Sequence, residues 1–305
     1  MQSVRVIECG GKGFRRVDVT DGKIGEISTF RNVGVRTEEL LSFSVSELPQ
    51  DNAAIAFSVA GLVDKEGSIT LSPNIPILTG VPLKNLIART YGKRIYVGND
   101  METAAKGMIT IFPDLAGCCL VITWSSGIGI RFVWKGDIVS SSEASHICQD
   151  PSGGAHLCGC GMRGCADALL GGAGTSRRLI SELPMRGIKI PAHQNPCAAL
   201  DAAYKDGEKW AADMYDYITM EMGKFLATLV SVIQVPAIIW KGSFAQKALR
   251  LPGIEDAIRM QMGNRVANPD WASKKNLVFR FVPVPPDAVE DSEAFLGAAA
   301  LALGQ

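Results

Sequence analysis

Three thiols, Cys158, Cys160 and Cys165, fall within eight residues and are separated by glycines, a density that suits one shared metal ion. Zinc prefers four tetrahedral sulfur and nitrogen ligands, and a Cys-x-Cys pair followed by a third cysteine needs a loosened turn to converge. Gly159, Gly161 and Gly164 supply it. His146 lies upstream as a fourth ligand, with His156 and Cys148 as alternatives, and Glu143 precedes His146 by three residues as a carboxylate free to face a substrate. A fully ligated zinc holds a loop and performs no chemistry itself, so the activity must lie in what the loop positions.

Two glycine-rich turns offer a second kind of chemistry. Glu8-Cys9-Gly10-Gly11-Lys12 and Ser125-Ser126-Gly127-Ile128-Gly129 each follow an apolar, strand-like run. Such turns let backbone N–H groups approach phosphate oxygens closely. Neither is a P-loop or a dinucleotide fingerprint, yet their repetition points to a nucleoside triphosphate held between two lobes. Asn99-Asp100 closes one strand and opens a helix, at the sheet edge where α/β proteins place ligands. Asp100 can serve as a general base there, or simply as the helix N-cap.

The elements that position these groups repeat at a spacing of about 117 residues. Residues 4–7 and 120–123 read as strands, each followed by its glycine turn, a second strand (14–19 and 130–134) and a hairpin turn, Asp21-Gly22 and Lys135-Gly136. Further strands are expected at 54–59, 95–97, 237–240 and 277–282, and helices at 83–90, 101–111 and 290–303. The stripe Trp210, Met214, Ile218, Phe225, Leu229 and Ile233 marks a long helix ended by Pro236. Two similar α/β lobes follow, one at 1–116 completed by 290–305, the other at 117–289 carrying the zinc loop.

Composition narrows the partners. Thirty-one basic and thirty-one acidic residues cancel, which argues against a nucleic-acid footprint or an anionic membrane surface. Residues 225–240 are apolar but interrupted, and read as a buried helix and a strand, not a membrane span. Eight cysteines without a signal peptide suggest reduced thiols in a cytoplasm; Cys118-Cys119 reads as core packing and His193 as a surface residue.

The cysteine signature with Glu143-x-x-His146, the stretch 56–76 containing Gly61 and Asn74, the Asn99-Asp100 pair and Ser126-Gly-Ile-Gly129 together resemble the ROK family of bacterial sugar kinases, such as glucokinase and N-acetylhexosamine kinases, and repressors. The resemblance implies an actin-like (ribonuclease H-like) two-lobed ATPase fold with a structural zinc loop. It implies Asp100 as general base and Gly61, Asn74, Asn99, Glu143, His146 and Asp167 around a hexose or N-acetylhexosamine. It selects His146, with Cys158, Cys160 and Cys165, as the zinc set. Glu8, Gly10, Gly11, Lys12, Ser126, Gly127 and Gly129 would line the phosphates of ATP, with Gly242 and Ser243 near adenosine and magnesium arriving with ATP. The family is commonly dimeric.

Four positions depart from the family pattern. The first turn carries Glu8 and Lys12 where the family has Asp and Thr, Lys241 replaces a glycine, and Asp167 replaces the more frequent glutamate. His146 and Cys158 are also about two residues further apart than is common, so Gly153-Gly154 must bulge. A sugar kinase is the leading expectation, and a catalytically weak sugar sensor the alternative. DNA binding is not expected, because the chain starts three residues ahead of Val4, without room for a helix-turn-helix.

Overall fold

The computed structural model describes residues 2–10, 13–30, 36–49, 52–139, 143–152, 155–191, 193–265, 278–281 and 292–304. Gly11, Lys12, Gly153, Gly154 and the ends expected for the last strand and last helix lie outside them. The chain is mixed α/β and divides into two compact units. One comprises Met1–Gly117, Lys135–Ile138 and Val284–Gln305, the other Cys118–Trp134 and Val139–Pro283, so the hairpin tip at 135–138 groups with the first unit and not, as expected, with the second.

The first unit is built on a sheet with strands β1 (Ser3–Gly10), β2 (Gly13–Thr20), β3 (Lys23–Ile24), β4 (Ser28–Phe30), β5 (Asn52–Val59) and, after the small hairpin β6 (Leu62–Val63) and β7 (Ile69–Leu71), β8 (Arg94–Asn99). Its order is β3-β2-β1-β5-β8, with β4 also on β2. β1 pairs antiparallel with β2 and parallel with β5, which pairs parallel with β8. The central strands are buried on both faces, which is why they read as continuous apolar runs. Ile7, Cys9, Ile55 and Phe57 face α1 (Thr37–Val45) and α2 (Leu83–Tyr91), while Val4, Val6, Ala54 and Ala56 face the last helix, Ser292–Leu303.

That last helix also packs along α3 (Asp100–Ile111), the helix opened by the Asn99-Asp100 pair. The approach is so close that a Cβ on Gly107 would overlap the Glu293 carbonyl, and one on Gly297 the Thr103 carbonyl. Asn99, and not Asp100, is the N-cap of α3: its Oδ1 accepts from Met101 N at 2.9 Å. The bare capping alternative for Asp100 is thereby corrected, since Asp100 is the first helical residue.

The second unit repeats the plan with β9 (Cys118–Trp124), β10 (Ile128–Trp134), β11 (Asp137–Val139), β12 (Ala237–Lys241) and β13 (Val278–Phe281), in the order β11-β10-β9-β12-β13. β10 begins at Ile128, two residues before the expected start, because Ile128 and Gly129 pair with Trp124 and Thr123. Gly129 is thus a strand residue, not part of the turn. The helices α4 (Ala166–Leu170), α5 (Gly172–Glu182), α6 (Pro196–Lys205), α7 (Lys209–Ile233), α8 (Ser243–Ala248) and α9 (Ile254–Gly263) share one core with β9 and β12. The α7 stripe is observed, with Met214, Ile218, Phe225 and Leu229 buried. The helix ends on Gln234 in the left-handed region, φ 53°, before Pro236.

Buried Arg5 grips Asp18 through two bonds of 2.7 and 2.8 Å and also donates to the Ser46 and Glu47 carbonyls that follow α1. Burial pushes the Asp18 carboxyl up, but hydrogen bonds from Arg5 and Asn52 and the charges of Arg5 and Arg16 outweigh it and hold the carboxyl below its usual range. A carboxylate with a depressed folded pKa stabilises the fold above its unfolded pKa, and that contribution disappears as pH falls through the folded value. Asp18→Asn is expected to cost about 2 kcal/mol at pH 7, at the low end for a broken buried pair because Asp18 is 32% exposed. The gap from wild type should close toward pH 3 in urea titrations. Gly107→Ala is expected to cost about 2 kcal/mol or more by overpacking at the helix crossing; an unchanged urea midpoint would contradict that packing.

Candidate active site and cysteine loop

At the carboxyl end of β8, Asn99 is fixed on both sides of its amide. Its Nδ2 donates to the Gly61 carbonyl at 2.9 Å while Oδ1 caps α3. Asp100 is half-buried beside it, with one carboxylate oxygen 2.9 Å from Met101 N. Gly61 therefore meets Asn99 through its backbone, whereas Asn74 is exposed in the loop that follows β7. Gly10 ends β1 opposite Gly13. Glu8 stands across from Arg15 in the same ladder and forms an ion pair with it, and that guanidinium lies 5.3 Å from the Phe295 ring centre.

In the second unit the ligand atoms of His146, Cys158, Cys160 and Cys165 lie within 4.8 Å of one another. His146 Nδ1 is 3.4 Å from Cys158 Sγ, and Cys160 Sγ is 3.6 Å from Cys165 Sγ. A tetrahedral zinc with Zn–S of about 2.3 Å and Zn–N of about 2.0 Å has edges of about 3.8 Å between sulfurs and about 3.5 Å between sulfur and nitrogen. The donor set therefore fits zinc. His156 and Cys148 are outside this group; the Cys148 thiol instead faces the Arg163 carbonyl. Gly161 and Gly164 take φ of +89° and +71°, the left-handed turns that fold the three thiols together.

The environment divides the thiols. Burial pushes Cys158 and Cys165 up. At Cys160 the upward push from burial, the largest single effect, is outweighed by the combined hydrogen bonds from the Met162 N–H and the neighbouring thiols, so it is held below its usual value. His146 presents its other nitrogen, Nε2, to Glu143 Oε2 at 3.6 Å, and Glu143 is 55% exposed. The three further positions behave differently from one another: Ser126 is exposed, Gly242 is buried with φ of +109°, and Ser243 opens α8 on the surface.

Asp167 lies between the second glycine turn and the cysteine loop. Its Oδ1 accepts from Ile128 N at 2.7 Å and its Oδ2 lies 3.8 Å from Cys158 Sγ. The turn 125–127 is held further by Gly172 N on the Ser125 carbonyl and Ala173 N on the Ser126 carbonyl, both at 2.8 Å. A Cβ at Gly171 or Gly172 would come within 2.9 and 2.7 Å of those same two carbonyls. Gly171-Gly172 was not singled out from the sequence, although a glycine pair after the third cysteine is the signal that could have found it.

The sequence model of the ROK family matches residues 7–305. The chain belongs to the ROK family. Among curated ROK relatives, a glucokinase from Aeropyrum pernix is 28% identical over 270 residues, covering 80% of this chain and 82% of that one. An N-acetylmannosamine kinase from Vibrio vulnificus is 29% identical over 55% of this chain and 61% of its own length. The crystal structure of a ROK glucokinase from Streptomyces griseus, solved with glucose and AMPPNP, superposes with a TM-score of 0.74 at 20% identity, covering 99% of this chain and 100% of that one. The expected sugar-kinase class agrees with these relatives, and the fold is the ROK fold. Among the described residues no helix is long and apolar enough to cross a membrane.

Metal loading offers a direct check on the cysteine loop. We expect one zinc per chain by mass spectrometric metal analysis, and a loss of affinity of about 100-fold or more with Cys160→Ser, accompanied by a lower Tm. His156→Ala should keep one equivalent; its loss would transfer the fourth ligand to His156.

Proposed function

We propose that this ROK protein transfers the γ-phosphoryl group of ATP to a hydroxyl of a hexose or N-acetylhexosamine. The observation that carries the reading is the Asn99-Asp100 junction, where an amide locked by Gly61 and Met101 sets a carboxylate at the carboxyl end of the parallel strands β5 and β8. Kinase relatives acting on glucose and N-acetylmannosamine support the substrate class.

In this reading Asp100 accepts the hydroxyl proton as that oxygen bonds to the γ-phosphorus and the bond to ADP breaks. The Asn99 side chain is oriented by its two bonds and presents a fixed amide to a neighbouring hydroxyl. The family resemblance assigns sugar contacts to Gly61 and Asn74 in the first unit, and to Glu143 and His146 in the second. It assigns phosphate contacts to Gly10, Gly11 and Lys12, and to Ser126 and Gly127, with Gly242 and Ser243 toward adenosine. Glu8 enters as the partner of Arg15. Magnesium bound with ATP would neutralise phosphate charge. His146, Cys158, Cys160 and Cys165 would hold a structural zinc, which would fix the imidazole whose other nitrogen faces Glu143.

A coupled ADP-release assay with magnesium, ATP and a panel of glucose, mannose, N-acetylglucosamine and N-acetylmannosamine tests the proposal. We expect turnover with at least one sugar, and Asp100→Asn to lower kcat by about 10²–10⁴-fold with the sugar KM little changed. No sugar-dependent ADP release from the wild-type protein, or an Asp100→Asn protein retaining full kcat, would sink it.

A further inference from the structure

The segment that follows the third cysteine holds the second glycine turn at successive points. Trp124 Nε1 donates to the Leu170 carbonyl at 2.7 Å, Gly172 and Ala173 donate to the carbonyls of Ser125 and Ser126, and Ile128 N donates to Asp167 Oδ1. Ser125 N closes the turn on the Gly127 carbonyl at 2.9 Å. The N–H groups of Ser126 and Gly127 are then the turn donors left without a partner among the described residues. Asp167 is the one side chain in this set of contacts that carries charge, and its carboxylate also limits the turn sterically, since a Cβ on Gly127 would come 2.8 Å from its Oδ1. Cys165, a member of the candidate metal set, is the N-cap of α4, two residues before Asp167.

We propose that Asp167 is a positioning residue for the turn 125–127, through its bond to Ile128 N, and that segment 165–173 thereby couples the cysteine loop to the nucleotide side of the site. The inference rests on the reading of that turn as a phosphate-binding loop of a sugar kinase. One oxygen of Asp167 is committed to the Ile128 amide and the other lies against Cys158, so the side chain acts on the protein's own backbone. Fixing a turn from outside lets its free N–H groups meet an anion without reorganising, the arrangement that makes backbone donors effective.

Two substitutions separate the roles. Asp167→Ala removes the acceptor for Ile128 N, while Asp167→Asn keeps a carbonyl acceptor and loses only the charge. Alanine is expected to raise the ATP KM about tenfold with the sugar KM within about twofold, and to speed hydrogen exchange in peptide 124–130. Asparagine is expected to stay within about threefold of wild type on each measure. Equal damage from both variants together with a raised sugar KM would overturn the proposal and make Asp167 a substrate contact. Unchanged exchange at 124–130 in the alanine protein would overturn it as well. If the wild-type protein turns over none of the sugars, the exchange result alone decides: faster exchange with alanine but not asparagine upholds the strut while the kinase reading falls. Should the alanine protein not fold, Gly127→Ala displaces the same carboxylate from the other side, and it is expected to speed exchange in the same peptide; no change there would overturn the strut.

Discussion

Strands β1, β5, β9 and β12 are covered on both faces, and this double burial governs where chemistry can sit. A charge in the middle of such a strand must be paired inside the protein, as Arg5 is with Asp18, so groups left to meet a ligand sit at the carboxyl ends. The observed positions follow that rule. Gly10 closes β1, Gly61 follows β5, Asn99 closes β8, Ser125 follows β9 and Gly242 follows β12. Each sheet contributes one glycine-rich turn between an antiparallel pair and the connections that follow its parallel strands, after β5 and β8 in the first and after β12 in the second.

Similar sheets do not make similar sites. In the first unit the junction after β8 is organised by side chains, with the Asn99 amide bridging Gly61 and the start of α3. In the second unit the turn after β9 is organised by backbone donors from Gly172 and Ala173 and by Asp167. The first arrangement orients a carboxylate; the second leaves N–H groups exposed. This division matches the needs of phosphoryl transfer, in which one partner must lose a proton and the other must have its negative charge stabilised.

The repeat of strand, glycine turn, strand and hairpin was legible because alternation and turn glycines are local signals, and the cysteine cluster because ligand types and spacing are chemical ones. Spacing alone did not single out the fourth metal ligand, since His146, His156 and Cys148 are all near in sequence; the family resemblance selected His146, and the fold brings it to the three thiols. The start of β10 was misjudged because Gly129 resembles a turn residue while its pairing with Thr123 makes it a strand residue. The helix α5 escaped notice because Gly171-Gly172-Ala173-Gly174 has weak helix propensity and reads as a loop. Its glycines answer to carbonyl oxygens a few ångströms away, and a backbone-to-backbone contact leaves almost no trace in residue type. Asp167 was assigned a role from the family pattern; its bond to Ile128, 39 positions away in the chain, is tertiary information.

The helix Ser292–Leu303 covers the face formed by Val4, Val6, Ala54 and Ala56, residues translated long before it. About 250 further residues, from Ala56 to Leu303, must be translated before that cover exists. At roughly 5–20 residues per second the ribosome takes about 12–50 s to supply it. During that interval an apolar sheet face stands open on a nascent chain, while the second unit, continuous in sequence apart from the hairpin tip, can already condense. Completion of the first unit's core therefore waits on the helix, and a truncation that removes 292–303 would uncover the face built by residues 4–56.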